Sequence, residues 1–443
     1  MNNFFEVLHN PKKSKARLGE IKTDHGVIKT PAFVPVGTKG TIKALTPRLV
    51  KDIGVQVAFV NTYHLVTHPG TEIIGKAGGI HKYSGLNIPL MSDSGGFQVF
   101  SLAREEKTRH RVLSTASPQG GPRRLSQKQM SSFSESSRKK ADVRNEEKPS
   151  LVKISEDGVK FRSTFDGKLI EFTPEKSIEF QKQIGADINM AFDECITYGS
   201  GYKYSKEATE RTHRWLGRCM SQVKSQKSKV KSEIQNSKFK TENCKLKIHQ
   251  YLYGVIQGGT YEDLRKKSAE YVVGKDTPGV AVGGVSVGET KREMRDQVRW
   301  VSDYLPSDRP VHLLGVGQMD DIIDLVKYGI DTFDCVEPTR LARMGTLYKI
   351  SNIKYQISNK SQTTNNKFKN GEIDITRGIY KNNLEKVDAD CDCYVCQNFT
   401  KSYLHHLFKQ HEILGYTLAT FHNLWVMEKL FKGIRKAIGN DVI

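Results

Sequence analysis

Short apolar runs that end in polar or glycine residues recur along the chain, and helix-like segments follow them. The first such runs are VQVAFVNTYH, NIPLMSDSGGF and ADINMAFDEC, whose strand-like parts end at Asn61, Asp93 and Asp193. Intervening segments such as TPEKSIEFQKQIG and MDDIIDLVKYG have the apolar spacing of amphipathic helices. The pattern therefore predicts alternating strands and helices around a parallel sheet.

Four further runs continue the alternation: YLYGVIQGG, PGVAVGGVSVGE, PVHLLGVG and GIDTFDC. Repeated strand–helix units with functional side chains at the strand ends favour a (β/α)8 TIM barrel, whose sites gather on that face. A doubly wound open sheet is the structural alternative, but no glycine-rich nucleotide fingerprint follows the first strand. We expect a single α/β barrel domain over residues 1–443.

Three polar, lysine-rich stretches interrupt this pattern, at residues 104–150, 222–249 and 349–370. They contain few large apolar residues and are predicted to be disordered surface insertions. Their net charges are +6, +6 and +5, which together make +17 of the total of +20. The basic balance is therefore weak evidence that the folded part binds a polyanion. Mobile phosphate contacts are an alternative role for the insertions.

Other bulk features exclude several classes of protein. No stretch approaches 18 consecutive apolar residues, so we expect no membrane span. The N-terminal segment lacks the basic and apolar regions of a signal peptide, and we expect a cytoplasmic location. Seven cysteines in 443 residues are too few and too unevenly placed for a disulfide framework.

Three of these cysteines, Cys391, Cys393 and Cys396, lie within six residues, a spacing typical of metal ligands. Three thiolates and one imidazole make a closed, structural zinc site, and soft sulfur ligands disfavour magnesium and calcium. The alternative is a chance cluster of reduced cysteines. The spacing leaves open which of four following histidines is the fourth ligand: His405, His406, His411 or His422.

Two aspartates at predicted strand ends suit glycosyl-transfer chemistry. Asp93 precedes a Ser-Gly-Gly turn that allows a flat ligand to approach the backbone, and Asp334 precedes Arg340 and Arg343. One carboxylate can attack an anomeric carbon while the other exchanges protons with the leaving group. The arginines suit clamping of nucleic-acid phosphates. Taken singly, each aspartate is better explained as a helix cap or an ion-pair partner, and the chemical interpretation gains weight only from the whole set.

A third group of residues is suited to reading the edge of a purine. Asp193 can accept hydrogen bonds from the ring N–H and amino groups of guanine, whereas Gln257 and a backbone N–H of the GVAVGGVSVGE loop can donate to its carbonyl. Such a set would hold a base turned out of its stack. Ordinary capping at the ends of barrel strands is the alternative.

Several long motifs occur in an order that resembles one known family, the queuine tRNA-ribosyltransferases. The motifs are DSGGFQVFSL, FDEC, GVIQGG, AVGGVSVGE, FDCVEPTR, CDCYVC and FHN, and the resemblance runs from about residue 4 to the end, apart from the insertions. It implies a zinc-containing transglycosylase of queuosine biosynthesis. The enzyme would exchange the wobble guanine in G-U-N anticodons for 7-aminomethyl-7-deazaguanine. Its partners would be the tRNAs for aspartate, asparagine, histidine and tyrosine.

The resemblance also implies a role for each matching residue. Asp334 would be the nucleophile that binds the ribose covalently, and Asp93 the general acid/base. The base-binding positions would be Ser94, Phe97, Asp193, Gln257, Gly284 and Val285. Arg340 and Arg343 would contact tRNA. One structural zinc ion would be held by Cys391, Cys393, Cys396 and His422, which leaves the other three histidines as ordinary core or surface residues.

Further expectations come from the same resemblance. Residues 385–430 would form a zinc-binding subdomain, and the protein would be a homodimer. Val287 stands where bacterial-type members have valine, which favours 7-aminomethyl-7-deazaguanine over the larger queuine. Val285 and Leu314 differ conservatively from the usual leucine and methionine, so the fine preference among 7-deazaguanines stays open.

Two rival functions differ from this one in class. A catalytically silent subunit would bind only tRNA or a sister chain, and the presence of both Asp93 and Asp334 argues against it. A barrel glycosidase would act on free nucleosides, and the arginines that follow Asp334 favour polymeric RNA instead.

Overall fold

The computed structural model describes residues 4–96, 152–163, 166–236, 249–350 and 372–443. Its strands are β1 (Phe5–His9), β2 (Leu18–Thr23), β3 (Gly26–Thr30), β4 (Ala32–Pro35), β5 (Ala58–Val60), β6 (Leu90–Ser92), β7 (Val152–Ile154), β8 (Val159–Arg162), β9 (Leu169–Phe172), β10 (Ile188–Met190), β11 (Tyr251–Ile256), β12 (Gly279–Val282), β13 (Val311–Leu313), β14 (Thr332–Cys335), β15 (Thr346–Tyr348) and β16 (Glu372–Asp374). Its α-helices are α1 (Pro47–Ile53), α2 (Thr62–Thr67), α3 (Thr71–Lys76), α4 (Ile80–Ser84), α5 (Pro174–Ile184), α6 (Tyr202–Asn236), α7 (Glu262–Val273), α8 (Lys291–Val301), α9 (Met319–Leu325), α10 (Glu337–Arg343), α11 (Tyr394–Asn398), α12 (Lys401–Lys409) and α13 (Ile413–Gly439).

Eight parallel strands form a barrel in the order β4-β5-β6-β10-β11-β12-β13-β14. All neighbours except β4 and β5 are joined by parallel ladders. The remaining junction is a single bridge from Val36 to Phe59, beside which the Gly37 N–H donates to the Phe59 carbonyl at 2.6 Å. The predicted (β/α)8 barrel is therefore confirmed, since an open doubly wound sheet would leave its two outer strands unpaired.

A small antiparallel sheet, β1-β2-β3, covers the end of the barrel at which the strands begin. Its Ile21 and Ile28, with the preceding Phe4, join the apolar cluster inside the barrel. Phe4 also stacks on Tyr251, the first residue of β11, with ring centroids 3.7 Å apart. The opposite end, where the strands finish, is therefore the end that can admit a ligand.

Local sequence sets the boundaries of the outer helices, as α5 illustrates. The Thr173 side chain accepts a hydrogen bond from the Lys176 N–H, and Pro174 occupies the first turn. Gly185 ends the helix with a φ of 74°, which a side chain would disfavour. Ile178 faces the main core, so the helix buries its apolar stripe between these signals.

Helix α13 packs across the barrel wall and also carries His422. Its Phe431 lies near Phe33 of β4 and Phe333 of β14, with ring centroids 6.1 and 5.9 Å away. The proposed zinc-binding subdomain therefore shares a helix with the barrel. Although α13 has 27 residues, no helix of the described part is long and apolar enough to cross a membrane.

The insertion predicted at 222–249 differs from its prediction as a flexible loop, because α6 continues through it to Asn236. Its first part contains lysine, glutamine and serine but no glycine or proline, so nothing stops a helix already anchored by packing upstream. Residues 237–248, the whole of 104–150 and nearly all of 349–370 lie outside the described residues.

Candidate active site

Five of the predicted site residues stand where parallel strands of the barrel finish. Because the strands run in one direction, these positions share one rim of the barrel. The residues are Asp93 after β6, Asp193 after β10, Gln257 after β11, Gly284 after β12 and Asp334 within β14.

Asp334 is held inside the barrel by two nitrogen groups from β13 and the turn that follows. Its Oδ1 accepts the Gly315 backbone N–H at 2.9 Å and lies 3.1 Å from His312 Nε2. The residue is 8% exposed. Within the described part of the chain, no hydrogen bond reaches Oδ2. The carboxylate therefore has one fixed oxygen and one that can react.

His312 was not singled out by the sequence analysis. The only sequence feature that pointed to it is the position of His312 between Val311 and Leu313 in the run PVHLLGVG. Because side chains alternate along a strand, His312 faces the barrel interior when its two apolar neighbours face outward. The structure confirms that placement, with His312 fully buried beside Phe59 in a stacked arrangement and 5.7 Å between ring centroids.

Asp93 is fixed by the loop that connects β5 to α2. Asn61 Nδ2 donates to Asp93 Oδ2 at 2.5 Å, and the Thr62 N–H donates to Oδ1 at 2.7 Å. The Gly95 N–H adds a third hydrogen bond to Oδ1 at 3.1 Å. Asn61 and Thr62 are thus supporting residues that the sequence showed only as the polar end of a strand. Their contacts fix the orientation of Asp93.

Asp193 lies in a buried network with two of the other predicted base-binding residues. Ser94 Oγ donates to Asp193 Oδ1 at 3.0 Å, and Gln257 Nε2 donates to Oδ2 at 2.7 Å. Burial, with a smaller contribution from the charge of nearby Asp93, raises the pKa of Asp193 to about 6, although both hydrogen bonds oppose the shift. Phe97, predicted for the same pocket, lies outside the described residues.

The amide of Gln257 presents a free acceptor beside Gly284. Gln257 Oε1 is buried and has no hydrogen-bond partner among the described residues. Gly284 has a φ of +63°, and a Cβ at this position would collide with Gln257 Oε1. Only glycine therefore brings the backbone this close to the amide. The pair offers hydrogen-bonding groups to a ligand without an intervening side chain.

A buried arginine that the sequence analysis did not single out, Arg265, holds the loops after β11 and β12 together. Its guanidinium donates to the carbonyls of Gly259, Gly283 and Gly284 at 2.5–2.7 Å, and to Gln297 Oε1 at 2.7 Å. Burial lowers the pKa of Arg265 to about 10, so the group stays charged at neutral pH. The arginine thereby fixes the spacing between the loops that carry Gln257 and Gly284.

The loop after β12 continues with Val285, which is buried, and Val287, which packs against the core. Ser286 between them has a φ of 60°. Glu289 accepts hydrogen bonds from the backbone N–H groups of both Ser286 and Val287. The loop after β12 therefore carries two apolar side chains, and the carboxylate of Glu289 holds its backbone in place.

Arg340 and Arg343 both lie on α10, the short helix that begins directly after β14. Both side chains are half-buried, and Arg343 Nη1 donates to the Thr339 carbonyl at 2.7 Å. The helix places two cationic groups within a few residues of Asp334. Guanidinium groups beside a carboxylate at the barrel rim suit recognition of a phosphate on a bound ligand.

The cysteine cluster and His422 form a buried group with the dimensions of a tetrahedral metal site. His422 Nδ1 lies 3.9, 3.4 and 3.4 Å from the Sγ atoms of Cys391, Cys393 and Cys396. Zinc bonds of about 2.3 Å to sulfur and about 2.0 Å to nitrogen imply a ligand separation of roughly 3.5 Å. The four side chains therefore fit a metal ion at their centre.

The surroundings of His422 prepare it as a ligand. Its Nε2 lies 2.8 Å from the Tyr348 carbonyl, so that nitrogen carries the proton and Nδ1 is left free for a cation. Hydrogen bonds from Cys391 and Cys396 hold the pKa of the Cys393 thiol well below its usual value. Among the described residues, the group around the three cysteines includes His422 but not His405, His406 or His411.

A second group of metal-binding residue types lies near the start of β10. His25 Nδ1 and His81 Nε2 lie 2.7 and 3.2 Å from the two carboxylate oxygens of Asp187. The imidazoles stack with centroids 3.4 Å apart and planes 7° apart, so their in-plane lone pairs do not converge on one ion. Burial opposes ionisation of Asp187, yet hydrogen bonds from both histidines hold its pKa below normal. We interpret this group as a structural ion-pair cluster.

Comparison with known proteins gives a consistent result over nearly the whole chain. The family model described as queuine tRNA-ribosyltransferase matches residues 12–143 and 141–443. Two relatives named queuine tRNA-ribosyltransferase, from Caldanaerobacter subterraneus subsp. tengcongensis and Thermoanaerobacter pseudethanolicus, are each 39% identical, covering 99% of this chain and 94% of the relative. A third, from Natranaerobius thermophilus, is 38% identical, covering 99% of this chain and 95% of its own length.

Proposed function

This chain belongs to the queuine tRNA-ribosyltransferase family, and from that premise we propose that it exchanges the wobble guanine of tRNA for a 7-deazaguanine. The observation that carries the proposal is the way in which the carboxylate of Asp334 is hydrogen-bonded. It lies at a barrel rim with Oδ1 fixed by two nitrogen groups and with Oδ2 free of partners in the described residues. This is the geometry that a carboxylate nucleophile needs.

We propose that Asp334 Oδ2 forms a bond to the ribose anomeric carbon while the bond from that carbon to guanine N9 breaks. The electron pair of the broken bond stays on guanine, and Asp93 as general acid donates a proton to the departing base. The incoming 7-deazaguanine then loses its proton to Asp93 and attacks the same carbon, which releases Asp334. Two inversions at one carbon give overall retention.

The base is proposed to lie between Asp193 and the Gln257–Gly284 pair, with Ser94, Phe97 and Val285 in the same pocket. Asp193 would accept from the ring N–H and amino group, and the second N–H of Gln257 Nε2 and a backbone N–H would donate to the carbonyl. We propose that the side chain of Val287 takes space that a larger ring substituent would need, which favours 7-aminomethyl-7-deazaguanine as substrate.

We propose zinc as the ion of the Cys391, Cys393, Cys396 and His422 site, because thiolates with one imidazole are its preferred structural ligands. Four protein ligands leave no position for water, so the ion would supply stability. Its contribution would be to link α11 to α13 and thereby to the wall of the barrel.

The remaining parts of the proposal concern partners. Arg340 and Arg343 would bind phosphates of the anticodon loop, and the tRNAs would be those with G-U-N anticodons, for aspartate, asparagine, histidine and tyrosine. A homodimer and a cytoplasmic location are also proposed, on family membership alone.

The test is incorporation of radiolabelled guanine into tRNA, with free guanosine as the competing substrate. We expect exchange in tRNA only, and trapping with tRNA should give a denaturant-stable protein–RNA adduct. Asp334→Asn should reduce adduct formation by at least about a thousandfold, because an amide is a poor nucleophile. Asp308→Asn, at an aspartate whose side chain is 80% exposed, is the matched control. Normal adduct formation by the Asp334→Asn variant would refute the assignment.

A further inference from the structure

We propose that His312 is the positioning residue for Asp334: it holds Oδ1 and thereby commits Oδ2 to the attack on ribose. The inference deepens the proposed function and rests on it. It follows from a chain of three side chains inside the barrel. His312 Nδ1 lies 2.8 Å from Thr332 Oγ1, and His312 Nε2 lies 3.1 Å from Asp334 Oδ1.

The protonation pattern of this chain follows from what each atom can donate. Asp334 at the rim is needed as a carboxylate, which only accepts, so His312 Nε2 must carry the proton between them. A neutral imidazole then has Nδ1 as an acceptor, and the Thr332 hydroxyl is the group that donates to it. Thr332 thus fixes the tautomer, and the tautomer fixes the orientation of the carboxylate.

Packing holds the His312 side chain in one orientation. His312 and Thr332 are fully buried, and the ring of Phe59 lies nearly parallel to the imidazole, with 13° between their planes. All three residues belong to barrel strands, or to the bridge that closes the barrel, rather than to mobile loops. The donor therefore stays in place while substrate and product exchange.

The hydrogen bond from His312 would act in both half-reactions. Oδ2 forms the bond to the anomeric carbon as guanine leaves with the electron pair of the broken bond, and Oδ1 becomes the carbonyl oxygen of the resulting ester. When the incoming base attacks, the electron pair of the ester bond returns to the carboxylate. The N–H groups of His312 and Gly315 then stabilise the charge that reappears on Oδ1. Loss of the His312 donor should therefore slow both half-reactions without weakening base binding.

Three substitutions separate this role from simple packing. In His312→Gln, the side-chain amide reaches about as far as Nε2 and can still donate to Asp334. In His312→Asn, the amide reaches only as far as Nδ1, so it can meet Thr332 but not Asp334. Thr332→Val keeps the shape of the side chain and removes the hydroxyl that fixes the tautomer.

The experiment measures the single-turnover rate of adduct formation on tRNA in the full-length protein, together with KM for the base and the melting temperature. We expect His312→Asn to be slower by about 10- to 100-fold, which is the effect of one hydrogen bond to a charged group. His312→Gln should recover most of that loss, Thr332→Val should fall between them, and KM for the base should stay within about twofold.

Two results would overturn the inference. One is equal adduct rates in the wild type and the folded His312→Asn variant. The other is a His312→Gln variant as slow as His312→Asn although both melt like the wild type. Should the His312→Asn variant fail to fold, a wild-type rate in Thr332→Val would count against the inference. Failure of the proposed function is distinguishable, because then the wild type itself would form no adduct.

Discussion

Asp193 shows how one residue can make ligand binding depend on pH. It is buried, and its carboxyl is the group proposed to accept hydrogen bonds from the base. Burial raises its pKa to about 6, so the fraction of ionised Asp193 falls steeply just below neutral pH. A protonated carboxyl accepts fewer hydrogen bonds than a carboxylate does. Binding of the base should therefore depend on the protonation of Asp193.

Base affinity should therefore fall as the pH falls. With a pKa of about 6, the ionised fraction drops about tenfold between pH 7 and pH 5, and the dissociation constant for guanine should rise by about the same factor. Calorimetric titration of the enzyme with guanine, in the absence of tRNA, measures this. Asp193→Asn should bind weakly at both pH values, and a wild-type affinity that is constant over this range would contradict the prediction.

The residues that the sequence could and could not reveal differ in one physical respect. Asp93, Asp193 and Gln257 stand at the ends of apolar runs, where a polar side chain is conspicuous, and motif order then suggested their roles. His312 and Arg265 lie within a strand and a helix, where a polar residue has no signature that separates a core partner from a functional support. Their importance depends on long-range contacts that only the folded barrel creates.

At the scale of elements, the loops after β11 and β12 depend on α7 for their positions. The residue that connects them is Arg265, whose four hydrogen bonds all end on carbonyl or amide oxygens. No carboxylate of the described residues is hydrogen-bonded to it, so its direct partners are all neutral dipoles, and Glu289 stabilises the cation only through its charge at a distance. Such an arrangement is sensitive to any change in the donor geometry.

Arg265→Met should destabilise the protein and misplace the base-binding loops. It leaves buried acceptors unpaired, and we expect the free energy of unfolding to fall by about 3 kcal/mol or more. Urea unfolding measures the loss, and KM for the base should rise in the fraction that stays folded. Arg292→Met, at a side chain that is 93% exposed, should change stability by less than about 0.5 kcal/mol. A similar small effect at Arg265 would contradict this account.

The order of strands and helices was predictable because short apolar runs alternate along the chain with segments of helical spacing. The extension of α6 to Asn236 was not, because low apolar content resembles disorder even when no residue breaks a helix. The packing of the β1-β2-β3 sheet over one end of the barrel was also not predictable, since the sequence of three short strands does not show which surface they pack against.

At the scale of the whole molecule, the metal site and the barrel are mechanically linked. His422 lies on α13, and nine residues later the same helix inserts Phe431 beside β4 and β14. We therefore expect a change at the metal-binding group to affect the wall that carries Asp334. The predicted structural role of zinc accordingly extends beyond residues 385–430.

Removal of the metal should therefore destabilise the barrel as well as the cysteine-rich segment. We expect His422→Ala, or chelation of the wild type, to lower the melting temperature by at least about 5 °C and to release one zinc ion per chain. Metal analysis and thermal unfolding measure both effects. His406→Ala, at an exposed histidine of α12, is the control. Full zinc content in the His422→Ala variant would refute the ligand assignment.

The packing of Phe431 against Phe33 also constrains how the protein is made. Phe33 is synthesised long before Phe431, so a growing chain cannot complete this wall before α13 has been made. Until α13 emerges, Phe33 and Phe333 lack their covering aromatic ring, and the nascent barrel must persist with an uncovered apolar side. Completion of this wall therefore has to wait until α13 has been synthesised.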